Sequence, residues 1–182
     1  MNKREPVVVI VPGYSNSGPQ HWQSLWQEKH PEYLRVEQRD WNNPIKAEWI
    51  ATLRRFLSEI NGPIILVAHS LGCIAVAHWA AENNEKVFGA LLVAPADVER
   101  PDALPPLRNF SPVPLNLLPF PSIVVASTTD PYVSLWRAEY FAKSWGGRFI
   151  IIGPAGHINT DAGFGPWRQG EVLLQQLVQH SG

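Results

Sequence analysis

Ser70 is the residue of this chain whose surroundings point most directly to chemistry. It stands at the centre of Ala-His-Ser-Leu-Gly at 68–72, after an apolar run at 63–67 and before an alanine-rich segment. That pattern predicts a strand, a tight turn with the serine at its corner, and a helix. Such a turn needs small residues two positions either side of the serine, here Ala68 and Gly72, although the strict pattern has glycine first. A serine at this place could also simply cap the helix.

Two further candidates for chemistry, Asp130 and His157, follow later apolar runs. Asp130 lies just beyond the run at 121–127, and His157 just beyond the run at 148–152. The carboxyl ends of parallel strands share one edge of a sheet, where such sheets place their chemistry. The chain order Ser, Asp, His is also that of one known triad scaffold. We therefore predict a triad with Ser70 as nucleophile, Asp130 as acid and His157 as base.

Each partner of the serine has an alternative interpretation. Asp130 precedes a proline and could simply begin a turn, and His157 could be an ordinary loop histidine. Asp97 and Asp102 are rival acids. Asp97 is the more serious rival because it also follows a strand candidate, at 89–94, whereas no strand directly precedes Asp102.

Acyl transfer also needs hydrogen-bond donors for the negative charge that develops on the carbonyl oxygen. The backbone N–H of Leu71, directly after the serine, is the expected first donor of this oxyanion hole. The loop at 12–18 is expected to supply the second through Tyr14 N–H, with Gly13 and His21 as supporting residues and His21 holding the loop by a hydrogen bond. The same loop could be interpreted as a phosphate-binding loop. It lacks the Gly-Lys-Ser/Thr ending and the Gly-x-Gly-x-x-Gly spacing of such loops, which argues against that interpretation.

Taken together, the motifs resemble those of the small α/β-hydrolases of the retinoblastoma-binding-protein-9 and YdeN type. The resemblance covers nearly the whole chain and rests on the motifs at 68–72, on Ser-Thr-Thr-Asp-Pro at 127–131, on Gly-His at 156–157, and on Val-Pro-Gly-Tyr at 11–14 with His-Trp at 21–22. It implies a trimmed α/β-hydrolase with a six-stranded parallel sheet and a Ser-Asp-His triad, acting on ester or related acyl bonds. Carried onto this chain, it implies the same roles for Ser70, Asp130 and His157. Ala68 and a proline-rich middle segment depart from the family pattern.

Short apolar runs alternate with helical segments, which predicts an α/β fold with a right-handed parallel sheet. The strand candidates are 7–11, 33–36, 64–67, 90–93, 123–126 and 149–152, and helical spacing predicts helices at 45–60, at 135–145 and from 166 onward. We predict a single α/β-hydrolase domain over 1–182, a three-layer sandwich with a six-stranded, mostly parallel sheet.

The segment 95–121 interrupts this alternation because its many prolines exclude a long helix. It connects a strand end on the catalytic edge to the next strand, so we predict a short lid or rim there. Its large apolar residues are expected mostly to pack the segment down and in part to line an acyl pocket; they are Leu104, Leu107, Phe110, Leu115, Leu117, Leu118 and Phe120.

Composition narrows the class of partner. The net charge of −1 provides no clustered basic surface for nucleic acid, and the arginines from 35 to 39 and at 54–55 are expected on solvated faces. No apolar run approaches the length of a membrane span, and the charged start at 1–5 does not fit a signal peptide. A single cysteine, Cys73, allows no internal disulfide, favours a cytoplasmic location and is expected to be a buried packing residue.

The sequence therefore predicts a serine hydrolase that cleaves a carboxylic ester or related acyl bond of a small molecule through an acyl-enzyme. It predicts no cofactor, and no metal either, since no other histidine or cysteine stands at ligand spacing from His21. A thioesterase or amidase on the same site and a protein-binding module on a hydrolase scaffold remain alternatives, because a fold does not determine function. Nothing in the sequence indicates a protein partner.

Overall fold

Six strands form one sheet in the computed structural model, which describes residues 5–82 and 87–180. The strands are β1 (Val7–Val11), β2 (Leu34–Arg35), β3 (Ile64–His69), β4 (Val87–Val93), β5 (Ser122–Ala126) and β6 (Arg148–Ile151). Their order is β2-β1-β3-β4-β5-β6, and each neighbouring pair is parallel. The predicted α/β class with six strands is confirmed. Most of the charged start of the chain lies outside the described residues.

The described ranges contain five α-helices: α1 (Trp22–Lys29), α2 (Lys46–Ser58), α3 (Leu71–Glu82) and α4 (Leu135–Trp145) connect strands, and α5 (Arg168–His180) follows β6. The sequence analysis predicts all of them except α1. This helix has only eight residues, too few to show a helical repeat of apolar positions. A histidine cap, His21, begins it in place of the usual Ser, Thr, Asp or Asn.

Helices cover both faces of the sheet because successive strand side chains point to opposite sides. On one face α2, α3 and α4 pack against a row of strand residues that includes Val9, Leu66, Leu92 and Val124. On the other face α1 and α5 pack against the alternate row, which includes Val8, Val67, Leu91 and Val125. The result is the predicted three-layer sandwich.

The proline-rich segment 95–121 forms a 3-10 helix, Pro105–Phe110, and otherwise irregular backbone. Phe110 is fully buried against Trp49 of α2, whereas Leu117 is 74% exposed. Asn109 ties the segment to the start of α2 by donating from Nδ2 to Pro44 O at 2.9 Å. We call this segment, residues 95–121, the rim.

No helix in residues 5–82 or 87–180 combines the length and the apolar character that a membrane crossing requires. Cys73 lies in α3 and is fully buried, as expected, and its thiol donates to Val93 O at 3.4 Å. Burial raises the pKa of this thiol, so it stays protonated and inert at neutral pH.

Candidate active site

Ser70 occupies a sharp turn between β3 and α3. Its φ of 56° lies in the left-handed region, which costs a residue other than glycine roughly 1–2 kcal/mol. A hydrogen bond from Ser70 N to Val93 O at 3.0 Å helps to hold that conformation. A Cβ on Gly72 would lie 2.4 Å from Val11 O, so only glycine fits two positions after the serine. Ala68 is fully buried, and the fold accommodates its methyl group.

A continuous chain of hydrogen bonds joins Ser70, His157 and Asp130. Ser70 Oγ lies 2.8 Å from His157 Nε2, and His157 Nδ1 lies 2.9 Å and 3.0 Å from the two Asp130 carboxylate oxygens. The Asp130 side chain is completely buried, and Tyr132 N donates to it at 2.8 Å. Because a carboxylate only accepts, the imidazole proton belongs on Nδ1, which leaves Nε2 to accept from the serine hydroxyl.

Two hydroxyl groups fix the loop that carries His157 against the loop that carries Asp130. Ser127 Oγ accepts from Ala155 N at 2.9 Å, and Thr129 Oγ1 accepts from Gly156 N at 3.0 Å. The sequence analysis uses these hydroxyl residues only as part of a motif and assigns them no role. Their place just before the acid is the signal from which this contact could have been foreseen.

His69 lies next to His157 and bonds to its backbone. Its Nε2 donates to the carbonyl oxygen of His157 at 2.9 Å, and the two ring centroids are 4.8 Å apart. Burial lowers the pKa of His69 well below its ordinary value, so this imidazole stays neutral. Because of its bond to His157 O, the His69 side chain points to the His157 loop and not to the Ser70 hydroxyl.

The two rival acids have other partners. Asp97 Oδ1 lies 3.5 Å from Arg137 Nε and accepts from Glu99 N at 3.2 Å. Asp102 Oδ2 accepts from Arg100 Nη2 at 2.6 Å. Of the three aspartates considered in the sequence, it is Asp130 that the structure brings to the histidine.

The loop at 12–18 packs directly on the serine turn. A Cβ on Gly13 would lie 2.8 Å from His69 O and 3.0 Å from Ser70 Cβ, so glycine permits this close approach. Tyr14 follows immediately and lines the same cavity as Ser70. Within residues 5–82 and 87–180, neither Tyr14 N–H nor Leu71 N–H has a hydrogen-bond acceptor. Both groups are free to bind a ligand oxygen.

His21 lines the cavity and bonds on two sides: its backbone N–H donates to Gly18 O of the loop at 3.0 Å, and its side chain bonds to helix α1. Its Nδ1 accepts from Gln23 N at 3.2 Å, which caps the helix. Burial, and then the Arg35 charge, lowers the pKa of His21 to about 3, so the ring is neutral and carries its proton on Nε2. That buried nitrogen has no hydrogen-bond partner in the described part of the chain.

Two residues with no predicted site role, Gln23 and Arg35, also hold the loop. Gln23 Oε1 accepts from Ser17 Oγ at 2.6 Å, while its Nε2 donates to Val67 O of β3 at 3.0 Å. Arg35 also bonds to the loop, and its side chain is only 10% exposed. The expectation that Arg35 lies on a solvated face is therefore wrong, because the side chain turns inward from the sheet edge.

A cavity of about 300 Å³ lies over Ser70 and His157. Its two walls differ in chemistry: the polar residues of loop 12–18 form one, and Leu104 and Leu107 of the rim contribute to the other. A smaller cavity of about 140 Å³ continues past the same two leucines toward Arg100. Among the described residues, no group of His, Cys, Asp or Glu side chains is arranged to hold a metal ion.

The fold and this site together define an α/β-hydrolase, and the comparisons identify its family. The serine hydrolase family model matches residues 8–176. A YdeN-like hydrolase from Pectobacterium atrosepticum is similar at 35% identity with a TM-score of 0.88, over 97% of this chain and 92% of that one. The chain therefore belongs to the serine hydrolase family.

More distant solved structures share the fold. The ydeN gene product from B. subtilis has 21% identity and a TM-score of 0.77, over 96% of this chain and 99% of that one. An esterase from Rhodococcus has 15% identity and a TM-score of 0.71, over 97% of this chain and 91% of that one. A search of curated proteins gave no match.

Proposed function

We propose that this protein hydrolyses carboxylic esters of small molecules, with Ser70 as nucleophile, His157 as base and Asp130 as acid. The observation that carries the proposal is the unbroken chain from Ser70 Oγ through the imidazole to a fully buried carboxylate, with steps of 2.8 Å and 2.9 Å. A serine hydroxyl is a weak nucleophile at neutral pH and needs such a base within hydrogen-bond reach.

In the proposed reaction, His157 Nε2 takes the hydroxyl proton as Ser70 Oγ attacks the ester carbonyl carbon. Asp130 keeps the imidazole in the required tautomer and stabilises its charged form. The free N–H groups of Leu71 and Tyr14 bind the oxyanion of the tetrahedral intermediate. The imidazolium then protonates the leaving alcohol, and a water molecule, activated by the same base, releases the acid from the acyl-enzyme.

The cavity suggests the kind of ester. A volume of about 300 Å³ suits a small acyl or alcohol group, and Leu104 and Leu107 offer that group an apolar surface. We assign the rim, residues 95–121, the role of shaping this pocket. The Rhodococcus esterase shares only the fold, and its activity makes esters the first substrates to test. The cytoplasmic location stays a prediction.

The direct test is turnover of p-nitrophenyl acetate, butyrate and octanoate by the wild-type protein and by Ser70→Ala. We expect turnover by the wild type and none by the variant beyond the buffer rate, with both proteins equally folded by circular dichroism. Butyryl thioester and butyryl anilide substrates, measured beside the ester, rank the three acyl bonds. Equal ester turnover by wild type and Ser70→Ala would refute the assignment. A folded wild type that cleaves none of these bonds would favour the binding-module alternative.

A further inference from the structure

Arg35 lies at the end of the edge strand β2, yet its side chain is buried against the loop at 12–18. It is 10% exposed, and burial lowers the pKa of its guanidinium below the ordinary value without removing the charge. Its ion-pair contact, with Glu37, is long, at 3.6 Å, and that glutamate is 67% exposed. An ion pair of this kind contributes little, so the strong partners of the buried cation must be sought elsewhere.

Those partners are oxygen atoms on or beside the loop. Arg35 Nη2 donates to Asn16 Oδ1 at 2.6 Å and to Ser17 O at 2.8 Å. Arg35 Nη1 donates to Ser24 Oγ at 3.0 Å, and that hydroxyl in turn donates to Ser17 O at 2.9 Å. The planar guanidinium fork thus fixes both the position and the orientation of the loop, which a point charge such as lysine does not reproduce.

The loop needs this support because its backbone is strained. Ser15 and Asn16 both have left-handed conformations, with φ of 61° and 63°. Two successive residues of this kind persist only when the surrounding structure holds them. Asn16 Oδ1 accepts from Ser17 N at 2.7 Å as well as from Arg35, so one acceptor connects the strained turn to the buried cation.

The strained turn directly follows Tyr14, whose N–H is free and lies beside the serine turn across Gly13. We propose that Arg35 is the positioning residue of the oxyanion hole, holding the loop so that Tyr14 N–H faces the developing oxyanion. This inference rests on the proposed function. Since an oxyanion forms only in the reaction, Arg35 should contribute to turnover far more than to the binding of substrate.

The first test is Arg35→Ala with the best p-nitrophenyl ester. Loss of one complete oxyanion donor lowers kcat by roughly 10²–10³, and for a misplaced donor we expect a loss of about 10- to 100-fold with KM within about threefold. A trifluoromethyl ketone matched to the substrate forms a tetrahedral adduct whose oxyanion occupies the hole. Its inhibition constant should rise by the same factor as kcat/KM falls, while the matching unreactive alcohol should bind as before.

Chemical rescue separates positioning from general damage. Added guanidinium at millimolar concentration should restore part of the kcat of Arg35→Ala, and Arg35→Lys should remain impaired because its ammonium lacks the fork. Arg54→Ala is the control, because Arg54 is exposed and pairs with Glu82 on α3. This control should keep wild-type kcat and show no response to guanidinium.

Asn16→Gly keeps the inference testable if Arg35→Ala does not fold. Glycine tolerates the positive φ, so this variant removes the acceptor for Arg35 without adding backbone strain. It should lower kcat and weaken the trifluoromethyl ketone in parallel, as Arg35→Ala does. If both variants keep kcat and inhibitor affinity within twofold of wild type, the inference is wrong.

A rise in KM alone, with unchanged affinity for the trifluoromethyl ketone, would also overturn the inference and make the loop a simple pocket wall. Failure of the proposed function looks different. In that case Ser70→Ala would turn the ester over as fast as the wild type does. The inference about Arg35 would then be wrong as well.

Discussion

The two walls of the cavity differ in the side chains that face it and in how deeply their hydrogen bonds are buried. The loop at 12–18 is fixed by directional hydrogen bonds from buried polar groups, those of Arg35 and Gln23. The rim presents Leu104 and Leu107, and the exposed pair between Arg100 and Asp102 lies beside them. Hydrogen bonds fix positions to a fraction of an ångström, whereas apolar packing accepts changes of shape.

This difference follows what each wall has to do in the proposed reaction. A donor to an oxyanion works only at a defined distance from one atom, so its loop must be rigid. A pocket for an acyl group needs only complementary volume. Substitutions on the polar side should therefore reduce the rate steeply, and substitutions on the rim should change the preferred substrate.

The largest effect in this comparison is expected from replacing Asp130, the proposed acid. Asp130→Asn should lower kcat by about 10⁴, because the amide favours the wrong imidazole tautomer. Asp97→Asn is the matched change in the rim. The Asp97 carboxylate lies beside Arg137, and it is Asp130 that bonds to His157, so kcat should stay within about threefold. Ester turnover by the two purified variants gives the answer, and the reverse ranking would make Asp97 the acid.

Adding one methyl group to the polar wall should have the next largest effect. In Gly13→Ala the new Cβ would lie 2.8 Å from His69 O, so the loop must move away from Ser70. We expect a loss of kcat of about 10²–10³, as for a lost oxyanion donor. Gly18→Ala is the control from the same loop, because a Cβ there meets no atom within 4 Å. Equal activity of the two variants would contradict a rigid wall.

Low pH should destabilise the folded protein through His21, which lines the cavity on its polar side. Its pKa is lowered to about 3 in the folded state, from an ordinary value of 6.5. Between these values the unfolded chain binds a proton that the folded chain does not, so the free energy of unfolding falls as the pH falls through that window. One such group contributes about 1.4 kcal/mol per pH unit.

Urea unfolding at pH 7.0, 6.0 and 5.0 measures this slope. In His21→Gln the slope should decrease by the contribution of one histidine, whatever the variant does to stability at pH 7.0. An unchanged slope would mean that His21 binds its proton as readily in the folded protein as in the unfolded chain.

The smallest effect is expected from the rim. Leu107→Ala enlarges the pocket, and one methylene of acyl chain is worth only about 1–3 kcal/mol in such a pocket. We expect a change of about tenfold in kcat/KM for p-nitrophenyl butyrate, at the lower end of that range, and a shift of preference toward the octanoate. Leu117→Ala, which alters a side chain that is 74% exposed, should leave the chain-length profile unchanged. If Leu107→Ala lowered kcat/KM equally for all the p-nitrophenyl esters, a role of Leu107 in shaping the pocket would be contradicted.

The proximity of Ser70, Asp130 and His157 could be predicted because each one follows the carboxyl end of a strand of recognisable pattern. Ser70 and His157 are far apart in the chain, yet the parallel sheet brings strand ends to one edge, where Ser70 Oγ and His157 Nε2 lie 2.8 Å apart. Gly72 was recognisable for a similar reason, since the close approach to Val11 O is a requirement of the turn itself.

The supporting residues could not be predicted because their roles depend on contacts between distant segments. Arg35 lies 18 residues from Ser17, on a two-residue strand, and charged residues stand near it in sequence, at Glu37 and Arg39. Charge patterning therefore places it on the surface, and only the packing of β2 against β1 turns it inward. The bonds of Gln23 to β3 depend on the same kind of distant contact, whereas helix α1 was missed because of its short length.

The central claim is that His157 activates Ser70, and covalent labelling tests it most directly. The wild type, Ser70→Ala and His157→Ala are treated with a fluorophosphonate, and the adduct is mapped by peptide mass spectrometry. We expect one adduct, on Ser70, absent from Ser70→Ala and formed far more slowly in His157→Ala. An adduct on another residue, or labelling of Ser70 at the same rate without His157, would contradict it.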